Sequence, residues 1–151
     1  MAGELPIQLA VTFRAVMDRV HTRLAAEGFA DVRPAHGFVF QFLSFHDGAT
    51  AVELAEHLGV TKQAAVQLVD ELVRNGYVTR GPHPTDRRSR LVSLSARGWA
   101  CIERVLELWQ DIERRWERRI GVRRLAQLRA DLAALTEDTA GGHAVPLRPL
   151  W

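Results

Sequence analysis

Gly59 constrains this chain more than any other residue, because it leaves only a tight turn between two helical segments. Before it, Thr50-Ala51-Val52-Glu53 reads as a capping box: the Thr hydroxyl meets the third helical N–H and the Glu reaches back. The helix begun there is short, ending at Leu58. After the turn, Thr61 caps a longer helix that reaches Asn75-Gly76, a pair suited to a left-handed conformation. Ala65, Leu68, Val69 and Leu72, spaced i, i+3, i+4 and i+7, give this second helix one buried stripe. A short helix, a tight turn and a longer helix lying across it make a helix-turn-helix.

Beyond Gly76 the pattern changes to two β-compatible runs, Tyr77-Val78-Thr79-Arg80 and Leu91-Val92-Ser93-Leu94. They flank Gly81 to Arg90, which is too long and too rich in Pro and Gly for a tight turn. A hairpin with an extended tip follows.

On either side lie amphipathic helices. Leu9, Phe13, Val16, Val20 and Leu24 form one stripe between Leu5 and Glu27, and Gly28 stops it. Pro34 opens a second segment to about His46, with Phe38, Phe42 and Phe45 on one side and Val39, Phe40 and Leu43 beside them. Ser95 caps a long helix to about Ile120, whose stripe is Trp99, Ile102, Leu106, Trp109 and Trp116, widened by Val105, Leu108 and Ile112. Gly121 separates it from a last helix with Leu125, Leu128, Leu132 and Leu135 at a and d spacing. Long amphipathic helices need a partner for their stripe, so the terminal helices are expected to pack together within one chain, between two, or both.

The expected fold is therefore mainly α with a small β-hairpin wing: a winged helix-turn-helix (47–95) flanked by N- and C-terminal helices (1–46 and 96–140) that are candidates for dimerisation. A tail (141–151) follows, and its Val145, Pro146, Leu147, Leu150 and Trp151 are expected to pack on a partner subunit. An apolar fraction of 47% with 25% charge argues against global disorder. No stretch approaches the about 18 uninterrupted apolar residues of a membrane span. No signal peptide is evident, and the single Cys101 excludes an intramolecular disulfide, so a soluble cytoplasmic protein is expected.

The charge is concentrated. The net charge is +2, yet Thr61 to Arg97 holds seven Lys or Arg against the three acids Asp70, Glu71 and Asp86, about +4. Opposite the buried stripe of the second helix lie Lys62, Gln63, Val66, Gln67 and Arg74. Gln63 and Gln67 project from adjacent turns, and a Gln amide can pair with the N6/N7 edge of adenine; Lys62 can reach a guanine or a phosphate. Thr61 and the N–H groups beside it can hold a phosphate. Taken alone, that face also fits an ordinary solvated helix surface. Arg87, Arg88 and Arg90 at a loop tip, where packing does not explain them, favour DNA: a projecting Arg suits a narrow minor groove, and Asp86 can hold a neighbouring guanidinium.

Leu54-Ala55-Glu56-His57-Leu58-Gly59-Val60-Thr61-Lys62, Leu68-Val69-Asp70-Glu71-Leu72 and Asn75-Gly76-Tyr77-Val78 resemble the multiple antibiotic resistance regulator (MarR) family, and so does Asp86-Arg87-Arg88-Ser89-Arg90-Leu91-Val92-Ser93-Leu94-Ser95-Ala96-Arg97-Gly98. The resemblance is sharp only between Leu54 and Gly98. It implies a homodimer built by the terminal helices, acting as a repressor on a pseudo-palindromic double-stranded operator, with Arg88 in the minor groove and Asp86 as its partner. It also implies release by a small aromatic or acidic effector, in a pocket expected to include Phe13, His21, His36, Phe40 and Trp99; the same residue types equally suit a core. Cys101 reads as structural. The six histidines show no metal-ligand spacing, and no nucleophile–base or phosphate-loop motif occurs, so neither metal, cofactor nor catalysis is expected. The competing reading is a winged-helix module that docks a protein with the same face.

Overall fold

The two helices at the centre of the chain begin where Thr50 and Thr61 satisfy free backbone N–H groups. In the computed structural model, which describes residues 3–148, the elements are α1 (Leu5–Ala26), α2 (Pro34–Ser44), α3 (Ala51–Leu58), α4 (Lys62–Arg74), β1 (Val78–Pro82), β2 (Arg90–Leu94), α5 (Ala96–Ile120) and α6 (Val122–Ala140). The Thr50 hydroxyl accepts from the Glu53 N–H at 3.2 Å, and the Glu53 carboxylate accepts from the Thr50 N–H at 2.7 Å. This reciprocal cap starts α3, and Gly59 at φ 68° ends it. The Thr61 hydroxyl then accepts from the Ala64 N–H at 3.1 Å and starts α4.

The expected class, mainly α with a β-hairpin, is the observed one. β1 and β2 pair antiparallel with Val78 opposite Leu94 and Pro82 opposite Arg90. The ladder is thus longer than the two runs read from sequence, and Tyr77 lies before it, fully buried. A third, one-residue strand joins it: Ala49 and Val92 exchange N–H···O bonds of 2.9 and 2.8 Å. This bridge ties the chain entering α3 to the wing.

Two compact units divide the chain. The first runs to Val105 and takes in Arg148, whose guanidinium lies within 3.2 Å of where a Cβ on Gly59 would stand. Its core gathers Leu24 of α1, Val39, Phe40 and Leu43 of α2, Leu54 and Leu58 of α3, Val69 and Leu72 of α4, and Tyr77 and Val92 of the wing. The second unit, Leu106–Leu147, buries Leu108, Ile112 and Leu125.

Three apolar faces differ from the sequence reading. On α2 the buried side is His36, Val39, Phe40 and Leu43, while Phe45 is 77% exposed because the helix ends at Ser44. On α5 the buried residues are Cys101, Leu108 and Ile112, whereas Trp99, Leu106, Trp109 and Trp116 remain exposed in the single chain. Along α1, Val20 and Leu24 are buried but Leu9 and Phe13 are exposed, together with Leu5, Ile7 and Val11. In the tail, Val145 and Leu147 are exposed; Leu150 and Trp151 lie outside the described residues. No helix among the described residues is long and apolar enough to cross a membrane.

Candidate nucleic-acid interface

Helix α4 turns Ala65, Val69 and Leu72 into the core, which leaves Thr61, Lys62, Gln63, Gln67 and Arg74 exposed. Its two acids are both engaged. Asp70 forms an ion pair with Arg80 of β1, and Glu71 accepts from Arg33 and from His36 Nε2, the latter at 3.0 Å. The Arg33 guanidinium and the His36 hydrogen bond hold the Glu71 carboxyl below its ordinary range. These contacts neutralise the acids of α4 and fix the helix to the wing on one side and to the start of α2 on the other.

The wing tip is held by side chains. Pro82 and Pro84 carry no N–H, so the ladder cannot continue into the loop. Instead His83 Nδ1 accepts the N–H groups of Thr85 (3.2 Å) and Asp86 (3.0 Å). Asp86 in turn accepts from the Arg88 N–H at 2.9 Å and from the Ser89 hydroxyl at 2.8 Å. These bonds, the Arg88 amide first, hold its carboxyl below the usual range. In this structure Asp86 caps the turn through the Arg88 backbone N–H, and among the described residues it makes no ion pair with a guanidinium.

Among the described residues, none of Lys62, Arg74, Arg87, Arg88 and Arg90 makes an ion pair, and all five are exposed. Elsewhere Arg14, Arg23, Arg33, Arg80, Arg97, Arg104, Arg114 and Arg129 are all paired with acids. The outward side of α4 and the wing tip thus gather five cations of this unit that make no ion pair among the described residues, while Arg19 and Arg148 make none either.

A model of the MarR family matches residues 30–89, which hold α2, the helix-turn-helix and most of the wing. Over 59 residues the chain is 41% identical to the multiple antibiotic resistance protein MarR of Escherichia coli strain K12; the stretch is 39% of this chain and 41% of that protein. The match thus spans less than half the length of this curated relative. The fold agrees much further. RV1404 from Mycobacterium tuberculosis superposes with a TM-score of 0.79 at 26% identity, over 95% of this chain and 96% of that one. Wild-type apo MarR from E. coli gives 0.69 at 26% identity, over 87% and 96%. Over its helix-turn-helix and most of its wing the chain is similar to the MarR family.

The residues expected to line an effector pocket are scattered in exposure. His36 and Phe40 are buried: the Arg33 N–H donates to His36 Nδ1 at 3.0 Å, and Phe40 lies 5.5 Å from the Tyr77 ring. His21 is partly buried, and Phe13 and Trp99 are exposed. Burial lowers the pKa of both His21 and His36. Cys101 is fully buried, which pushes its thiol up to about 11. Among the described residues no group of three or more His, Cys, Asp or Glu could hold a metal ion.

Two functional elements escaped the sequence reading. Arg80, counted among the seven basic residues of the region, is spent on Asp70. His83 gave one signal, an acceptor side chain followed by Pro and then by loop amides, as in an Asx turn.

Proposed function

We propose that the protein is a homodimeric, sequence-specific DNA-binding regulator that acts as a repressor. The observation that carries the reading is the set of exposed cations without ion-pair partners on α4 and the wing tip, beside a face in which Asp70 and Glu71 are already neutralised. Such a surface attracts a polyanion, whose condensed counterions it releases on binding. Gln63 and Gln67 supply amides at major-groove height, Lys62 and Thr61 meet the backbone, and Arg87, Arg88 and Arg90 meet the flanking minor groove. A fold neighbour at 17% identity, MepR of S. aureus, has been solved bound to an oligodeoxyribonucleotide.

The second copy is argued from the exposed apolar residues of α1 (Leu5, Leu9, Phe13) and of α5 and α6 (Trp109, Trp116, Leu128). Apolar surface on that scale calls for a partner. Two copies present two recognition helices to half-sites about one helical turn apart. Release by a small aromatic or acidic effector belongs to the same proposal, with Phe13, His21 and Trp99 as the residues of the expected set that ligand can still reach.

Selection of bound fragments from genomic DNA, followed by titration of variants on the selected site, tests the reading. Arg88→Ala weakens binding to all sequences and makes the salt dependence shallower by about one to two in log–log slope for a dimer. Gln63→Ala relaxes discrimination at one or two base pairs, worth about 1–3 kcal/mol each. Enrichment of no sequence, or wild-type affinity in Arg88→Ala, refutes it.

A further inference from the structure

We infer that His83 is a positioning residue for Arg88 of the wing, acting as the acceptor that folds the loop from which it projects. The inference rests on the proposed contact between wing and DNA.

Between Pro82 and Arg90, the last pair of the ladder, seven residues must reverse the chain without cross-strand bonds. The two prolines around His83 remove the N–H groups that could have continued the ladder. The imidazole replaces them from the opposite direction. Its Nδ1 takes the N–H of Thr85 at 3.2 Å and of Asp86 at 3.0 Å, so the ring hydrogen sits on Nε2. Pro84 favours the extended conformation of His83 that lets the ring fold back over the next two residues. Asp86, placed by this bond, repeats the device one step on, taking the Arg88 N–H and the Ser89 hydroxyl. The Ser89 N–H closes onto the Asp86 carbonyl at 3.2 Å. Two successive side-chain caps therefore lead from the end of β1 to Arg88, and the first of them is His83. Glu53 of α3 is in electrostatic reach of the ring, as is Asp86.

The geometry separates the two ring nitrogens, and this makes the inference testable. Asn carries an acceptor at the position of Nδ1, whereas Gln carries its amide at the position of Nε2. In the free full-length protein, His83→Ala and His83→Gln are expected to speed amide exchange at Thr85 and Asp86 roughly two- to tenfold, the effect of one lost hydrogen bond. His83→Asn leaves exchange near wild type. On the selected DNA site, His83→Ala and His83→Gln weaken binding by a similar factor and His83→Asn restores it. In an Arg88→Ala background the loss from His83→Ala disappears, because the residue it positions is gone.

Unchanged exchange in His83→Ala, or protection kept by His83→Gln and lost in His83→Asn, overturns the cap. A His83→Ala loss that persists in the Arg88→Ala background overturns action through the arginine. If Arg88→Ala alone leaves affinity unchanged, the wing's role on DNA fails, and the exchange measurements still decide the cap on their own.

Discussion

Gly98 in the first turn of α5 and Gly37 inside α2 are both helical glycines, and the structure assigns their replacement by alanine opposite signs. Intrinsic propensity favours alanine over glycine inside a helix by about 1 kcal/mol. At Gly37 a Cβ meets nothing within 4 Å, so that gain stands alone. At Gly98 it would lie 2.3 Å from the Tyr77 carbonyl oxygen and 3.0 Å from Leu94 Cδ2. The carbonyl cannot retreat freely, for it accepts the Ser95 N–H at 2.9 Å. Ser95 itself is fixed, its hydroxyl donating to the Gly76 carbonyl and accepting the Gly98 N–H at 3.1 Å. Opening the gap to even 3.0 Å displaces α5 from β1 by about 0.7 Å. Overpacking of this kind costs about 1–3 kcal/mol, more where the neighbour is backbone. The expected net result is a loss of about 1–2 kcal/mol for Gly98→Ala and a gain of about 0.5–1 kcal/mol for Gly37→Ala. Denaturant unfolding at one fixed protomer concentration measures both as shifts in midpoint at constant slope. A Gly98→Ala protein more stable than wild type would refute the steric argument.

Three further outcomes follow from buried groups. Tyr77→Phe removes a hydroxyl that donates to Asp31 at 2.5 Å and accepts from Arg97 at 3.0 Å; a loss of about 1–2 kcal/mol by denaturant midpoint is expected, and none would show the hydroxyl idle. Cys101, fully buried and with its thiol pushed up to about 11, should resist thiol reagents at neutral pH until the protein unfolds; rapid labelling of the native chain contradicts that. His36 and His21 have folded pKa values below the 6.5 of the unfolded chain, chiefly through burial. The unfolded chain therefore binds more protons just below that value, so stability is full above it and declines as pH falls through it. His36→Asn, which keeps an acceptor for the Arg33 N–H but does not titrate, should flatten the decline in Tm between about pH 7.5 and 5.5; an unchanged slope rules His36 out as a source.

Local chemistry made the helix-turn-helix legible: the Thr50–Glu53 box, Gly59 and the Thr61 cap all act within four residues of chain, and all three were found where their residue types place them. Features that depend on distant partners were not. Ala49 pairs with Val92 across 43 residues of sequence, in a stretch with no alternating pattern, and Glu71 meets Arg33 and His36 from 38 and 35 residues away. Periodicity located the apolar positions of α5 but not which of them a single chain buries. Cys101, Leu108 and Ile112 are covered, while the tryptophans were read as the main stripe. At the wing, composition pointed to Arg87, Arg88 and Arg90, yet the loop's hydrogen bonds assign Asp86 to the backbone instead of to a guanidinium.

Of the 20 basic residues only Lys62 is a lysine, and it stands exposed at the first position of α4. Guanidinium groups do not react with mild acylating reagents as amines do, since they stay protonated. The sequence therefore offers a single side-chain amine, placed on the helix proposed to read DNA. Apart from a free backbone α-amine, a fluorophore ester is directed to that spot without introducing a cysteine, and acetylation there would remove a cation from the proposed interface while leaving every other positive side chain untouched.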